Sequence, residues 1–206
     1  MKVLLINGSP HEKGCTYTAL SLIAGELKAQ GIETEILHVG GQPVGGCIGC
    51  GGCRSGNGCV FGGVVNEAIE KAKTADAFVF GSPVHYASAA GNMASFMDRL
   101  AYAGGKYLAY KPAAICCSAR RAGTTSTLDQ LVKYPQFFHM PLVNGSYWAM
   151  VHGSTPEQVL QDAEGCAVMQ ELGRNMAWLL RCIEAGKAAG IDHPQNPPRP
   201  MTNFIR

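Results

Sequence analysis

The sequence predicts a three-layer α/β/α sandwich, doubly wound around a five-stranded parallel sheet. Two observations carry that expectation. Short continuous apolar runs alternate about five times with segments whose apolar residues recur every three or four positions. Parallel strands need crossovers of a dozen residues or more, and helices of this length supply them. A third observation concerns placement. The unusual loops, 7–16, 81–91 and 118–124, each follow a strand, and ligands bind beyond the carboxyl ends of the strands in such sheets.

Val3 to Ile6 is a continuous apolar run, as in a strand buried on both faces. Leu20, Ile23, Ala24 and Leu27 recur at helical spacing, and Gly31 stops that helix. "IETEILHV" alternates as a second strand. Residues 40–63, rich in Cys and Gly, show no period and read as a long functional loop. Val64, Val65, Ala68, Ile69 and Ala72 form a second helical stripe. "AFVF" at 77–80 is a buried strand ending at "GSP". Met93, Phe96, Met97 and Leu100 mark a third helix, in which "MDRL" predicts an Asp98–Arg99 pair at the helix end. "PAAICCSA" is a fourth strand, with a helix after Gly123. "PLVNGSYWAMV" supplies the fifth strand, and one long helix runs from Pro156 to about Ala185. Residues 1–190 form the expected domain, with its Cys-rich loop at 45–60. Residues 191–206, rich in proline, form an extended tail.

Composition excludes several classes. The 206 residues suit one domain, and 47% hydrophobic against 16% charged residues makes it globular rather than disordered. A net charge of +2 with no basic run argues against nucleic acid as a partner. No apolar run approaches the roughly 18 residues of a membrane helix, so no membrane role is expected. The opening "MKVLLINGSP" has no signal-peptide pattern, and the chain reads as cytoplasmic. Nine cysteines are many for a reducing compartment. Cys15, Cys116, Cys117, Cys166 and Cys182 lie in or beside apolar segments and read as small core residues.

The stretch "NGSPHEKGCTYT", Asn7 to Thr18, spends far more residues between strand and helix than a turn requires. A helix start offers free N–H groups and the positive end of a dipole, which suit a phosphate. Ser9, Thr16 and Thr18 add hydroxyls, Gly14 allows close approach, and His11 and Lys13 add charge. The segment is neither a Walker A loop nor a G-x-G-x-x-G fingerprint, and neither H-E-x-x-H nor G-x-S-x-G occurs. Cys47, Cys50, Cys53 and Cys59 read C-x2-C-x2-C-x5-C, with glycines that permit tight wrapping. Ferredoxin-type [4Fe–4S] loops use such runs, whereas structural zinc more often separates two C-x2-C pairs. A metal-free loop of reduced thiols is the plain alternative.

"VLLINGSPHEKGCTYTAL", "ADAFVFGSPVHYASAAGNMASFMDRL" and "CCSARRAG" together resemble the NAD(P)H-dependent FMN reductases, and within them the iron–sulfur flavoprotein branch. The resemblance covers about residues 1–135, and the closing "TNFIR" is similar too. It implies a flavodoxin-like fold. By position, it implies that Ser9, His11, Gly14, Cys15 and Thr16 surround the FMN phosphate. Pro83, Val84, His85 and Tyr86 would lie along the flavin ring, on a tight turn set by the proline, and Ser118, Arg120 and Gly123 would close the far side. Arg121 reads equally as a solvated loop charge. It also implies a [4Fe–4S] cluster on Cys47, Cys50, Cys53 and Cys59. Three departures stand out. Cys15 replaces a usual Asn, His11 replaces a common Arg or Lys, and "VFGGVV" stands where an acidic pair often follows the last cysteine.

The expected activity is hydride transfer from NAD(P)H to FMN and on to a small-molecule acceptor of the quinone, azo, nitro or flavin type. No protein acid or base is required, since the flavin carries the chemistry. The alternative is an electron-transfer flavoprotein that shuttles electrons between protein partners. A remoter one is a regulatory protein that has lost its flavin. A homodimer or homotetramer is expected, with the tail reaching over a partner subunit.

Overall fold

A computed structural model describes residues 1–198, 200–202 and 204. Five parallel strands form the sheet: β1 (Lys2–Asn7), β2 (Glu33–His38), β3 (Ala77–His85), β5 (Ala113–Ala119) and β6 (Met150–His152), in the order β2-β1-β3-β5-β6. A two-residue strand, β4 (Ser88–Ala89), adds to the end of β3 in antiparallel fashion. The crossovers carry α1 (Cys15–Ala29), α2 (Val64–Thr74), α3 (Gly91–Gly104) and α4 (Thr124–Phe137), and α5 (Pro156–Val159) and α6 (Ala163–Ala188) follow the last strand.

Alternate side chains of each strand enter opposite layers, so a strand apolar throughout feeds two cores. Leu4, Ile6, Phe78 and Phe80 pack with α2, α3 and α4. Val3, Leu5 and Val79 pack with α1 and α6 on the other face. Phe78 and Phe80 are fully buried and stack at 5.9 Å, and truncating either to Ala would cost about 3–5 kcal/mol.

Four expectations are corrected. β3 does not end at "GSP": Gly81 pairs with Cys116 and Pro83 with Ser118, so the strand continues to His85. A proline suits this place at the end of the strand, where parallel pairing on β5 gives way to the hairpin. The stretch 141–151 is not one strand. Leu142 makes a single bridge to Ala113, and 144–148 leave the sheet, tied to α6 through Asn175 and Glu171. Only Met150–His152 pairs with β5. The final helix breaks after Val159, because Asp162 caps α6 by accepting from Gly165 N–H at 2.9 Å and also accepts from His152 N–H at 2.7 Å. Asp98 and Arg99 do not pair: Asp98 accepts from the Tyr134 hydroxyl at 2.6 Å, and Arg99 turns toward the cysteine loop.

Cys116 and Cys117 are core residues as expected, Cys15 and Cys166 are only half-buried, and Cys182 is exposed on α6. Beyond α6, His193 stacks on Tyr110 at 4.4 Å, and Asn196 donates to the Tyr110 hydroxyl. Of the closing "TNFIR", Asn203, Ile205 and Arg206 lie outside the described residues. No helix among the described residues is long and apolar enough to cross a membrane.

Candidate functional site

The register of the sheet brings three segments to one edge. Asn7 pairs with Gly81, Gly81 with Cys116, and Pro83 with Ser118, so the chain leaves β1, β3 and β5 side by side. The first segment is a compact, self-bonded loop. Asn7 Oδ1 accepts from Ser9 N–H at 3.1 Å, and its Nδ2 donates to the Glu12 carbonyl at 2.9 Å. Ser9 Oγ accepts from His11 N–H at 3.1 Å, and His38 Nε2 bonds the Ser9 carbonyl at 2.8 Å. Gly40 lies so close that a Cβ there would sit 2.2 Å from the Ser9 carbonyl oxygen.

The loop delivers the chain to α1 with its first turn open. Gly14 is the N-cap and offers no side chain, and the N–H groups of Cys15, Thr16 and Tyr17 have no partner among the described residues. Helix starts normally satisfy these donors with a Ser, Thr, Asp or Asn cap. Thr16 is buried, and its hydroxyl meets the buried Ser118 hydroxyl at 2.8 Å. The start of α1 and the end of β5 are thus joined at residues the sequence singled out. Cys15 directs its thiol to the Gly153 carbonyl at 3.5 Å, and burial raises its pKa. His11 and Arg120 are exposed.

The second segment is a hairpin. Val84 pairs with Ala89 and His85 with Ser88, leaving Tyr86 and Ala87 as the turn. Both have positive φ, 50° and 58°, as a type I′ turn demands. Neither is glycine, so the turn is held by its surroundings. Ser126 donates to the Ala87 carbonyl at 2.7 Å. Gln130 Oε1 accepts from Ser88 Oγ and Ala89 N–H, and Ser82 Oγ accepts from Ala90 N–H. The tight turn is therefore Tyr86–Ala87; Pro83, Val84 and His85 belong to β3. Tyr86 stands fully exposed at the tip. Gly123, at φ 88°, lies against the hairpin, where a Cβ would sit 2.7 Å from Ala87 Cα.

Residues 47–59 lie on the α3 side. Cys47 and Cys50 are exposed, and Cys53 and Cys59 are half-buried. All four line one cavity of about 310 Å³. Among the described residues no three His, Cys, Asp or Glu groups converge closely enough for a single metal ion. Ligands of an iron–sulfur cube stand farther apart than ligands of one ion, and an all-thiol donor set suits such a cube. Two guanidiniums, Arg54 and Arg99, line the cavity, and no carboxylate does. Asn66 brackets Cys59, accepting from its N–H at 2.8 Å and donating to its carbonyl at 3.0 Å. Asn92 holds Gly40, Gln42 and Val44.

Sequence reasoning missed the supports: His38, Ser82, Asn92, Arg99, Ser126 and Gln130. Most are polar residues on elements remote in sequence, and no local pattern marks their partners. For Arg99 a signal existed, as a cation on the buried side of an apolar helix.

Comparison with known proteins agrees with this arrangement. Residues 1–155 match the family described as NADPH-dependent FMN reductase. An iron–sulfur flavoprotein of Methanocaldococcus jannaschii is 27% identical over 192 residues, covering 89% of this chain and all of that protein. One from Archaeoglobus fulgidus is 36% identical over 99 residues, 48% of each chain. A flavodoxin from the domain Archaea superposes with a TM-score of 0.58 at 14% identity, over 88% of this chain and 99% of that one. The chain therefore belongs to the NADPH-dependent FMN reductase family, flavin oxidoreductases that bind FMN, and it is built on a flavodoxin-like fold.

Proposed function

We propose that the protein transfers electrons from NAD(P)H through FMN to a small-molecule acceptor of the quinone, azo, nitro or flavin type. FMN supplies the chemistry: it accepts a hydride and returns electrons singly or in pairs. One observation carries the assignment of the site. The first turn of α1 presents unpaired N–H groups beside Thr16 and Ser118, at the edge where β1, β3 and β5 end. The N–H groups of Cys15, Thr16 and Tyr17 would hold the phosphate, with the Thr16 hydroxyl turning from Ser118 toward it. His11 and Lys13 stand near enough in sequence to add charge. The hairpin residues Val84, His85 and Tyr86 would flank the ring, with Ser118, Arg120 and Gly123 opposite. Tyr86, fully exposed, suits coverage by a second copy of the chain, and sedimentation would show a dimer or tetramer at micromolar concentration.

In this reading Cys47, Cys50, Cys53 and Cys59 carry a [4Fe–4S] cluster. The all-thiol cavity without carboxylates supports it. Anaerobic protein should hold about four irons and four sulfides per chain. Cys50→Ser should lower that content and leave FMN bound, and Cys166→Ser, on α6, should change neither. The ultraviolet–visible spectrum of anaerobically purified protein tests both cofactors together. Heat-released flavin that proves to be FAD would sink the phosphate assignment.

A second reading has its own observation. Ile48, Val60, Phe61 and Tyr102 are exposed around the cysteine cavity, as suits a protein electron partner. Steady-state NADPH oxidation with a quinone separates the two readings, because a pure shuttle would show almost none.

A further inference from the structure

We propose that Arg99 is a positioning residue for the cysteine loop. It staples both ends of the loop to α3 and presents a buried cation to its thiol side. The staple follows from the donor geometry. Arg99 is 7% exposed, and its Nη1 donates to the Gly45 carbonyl at 3.4 Å and its Nη2 to the Gly62 carbonyl at 3.1 Å. Those two carbonyls bracket all four cysteines in sequence. Its Nε donates to Cys59 Sγ at 3.3 Å, and the Phe61 ring lies 5.4 Å from the guanidinium carbon. One side chain thus fixes the entry, the exit and the last thiol of a segment with little regular structure of its own.

The charge follows from what is missing around it. A buried cation is costly unless paired, and no carboxylate pairs with Arg99 among the described residues. Its neighbours are two carbonyls, a ring and a sulfur. Carbonyl dipoles offset part of the cost, and an anionic sulfur set would offset more. The planar fork suits three acceptors at once, which a lysine ammonium on a flexible stem does not reproduce. A cation hydrogen-bonded to a ligand sulfur favours the more negative, reduced state of a cluster and so raises its potential. This second half rests on the cluster reading given above. The staple belongs to the chain alone.

The test compares wild type with R99K and R99M. Metal-free protein is followed by hydrogen–deuterium exchange over residues 45–62, with FMN binding as the folding control. Ferrous iron and sulfide are then supplied anaerobically, and bound iron and the midpoint potential are measured. In R99M the loop amides should exchange about tenfold faster or more, iron should fall below half of wild type, and the retained cluster should be reduced at a more negative potential. R99K keeps the charge without the fork, so it should show faster exchange and a potential near wild type. Equal loop exchange in wild type and both variants overturns the staple. An unchanged potential in R99M with full iron overturns the charge role. A wild type that takes up no iron overturns the cluster reading and the charge role together, and the exchange data then decide the staple alone. If R99M fails to bind FMN, R99K carries the test: exchange equal to wild type overturns the staple, and a potential clearly more negative than wild type overturns the charge role.

Discussion

Replacing Gly123 with Ala should damage the site where the start of α4 meets the hairpin. Gly123 holds φ at 88°, a conformation that costs an alanine about 1 kcal/mol. The added Cβ would lie 2.7 Å from Ala87 Cα and 2.9 Å from Val84 Cγ1. One of those atoms is backbone, in a hairpin already pinned by Ser126 and Gln130, so no rotamer change relieves the contact. Overpacking of that kind adds about 1–3 kcal/mol. The sum is roughly 3 kcal/mol, and a chain of this size loses about 2–4 °C per kcal/mol, so melting should fall by roughly 6–12 °C. The assay is thermal melting of flavin-free protein followed by FMN titration. FMN affinity should fall as well, because the hairpin must move away from the loop after β5. A melting change under about 2 °C would refute the steric reasoning. A large change with unaltered FMN affinity would refute the placement of the flavin beside this hairpin.

Thr16→Ala should weaken FMN binding by about 1–3 kcal/mol, the range for a lost hydrogen bond to a charged group, and equal affinity by fluorescence titration would mean that the phosphate sits elsewhere. Brief alkylation of native protein at neutral pH should label Cys47, Cys50 and Cys182 and spare Cys116 and Cys117, since burial pushes the Cys117 thiol up to about 12 and the Cys116 thiol higher still; mass spectrometry showing early modification of Cys117 would contradict that burial. Glu35 is held below the usual carboxylate range by its hydrogen bonds to Lys2 at 2.8 Å and Lys71 at 2.6 Å. Its folded pKa is the lower one, so its contribution is present above about pH 4.3 and is lost as pH falls through the folded value. Glu35→Gln should therefore cost more stability at pH 7 than at pH 3, as read from urea midpoints; an equal cost at both pH values would show that the ion pairs contribute nothing.

The sheet was legible because parallel strands buried on both faces need apolar residues at consecutive positions, as in "KVLLI", "AFVF" and "AAICC". The errors fall where one polar side chain decides a boundary. Asp162 reads as an ordinary helical position in an apolar periodicity running from Val159 to Ile183. Its carboxylate instead reaches Gly165 and His152, which ends α5 and docks α6 on β6. The stretch 144–148 has strand-like residues, yet Glu171 and Asn175 offer its backbone partners on α6 in place of β5. "GSP" looked like punctuation because glycine and proline usually are. Here Pro83 closes the parallel pairing with β5 before the hairpin, and the turn falls on Tyr86 and Ala87, two residues whose own preferences oppose positive φ.

The candidate site shows the same division. The open first turn of α1 and the four spaced thiols are local patterns, so Gly14, Thr16 and Cys47–Cys59 could be singled out without the fold. Arg99 carried a weaker signal, since helix geometry already spoke against the expected Asp98–Arg99 pair. Adjacent residues on a helix point about 100° apart and do not face each other. With Met93, Phe96, Met97 and Leu100 turned to the core, one neighbour must lean outward and the other inward. Asp98 takes the outward side and finds Tyr134 on α4. Arg99 takes the inward side, where a cation needs acceptors that the helix cannot supply. The cysteine-bearing segment passes there with two carbonyls and a sulfur. The charge that the sequence pairs with Asp98 is thus met by two carbonyls and a sulfur of the cysteine-bearing segment.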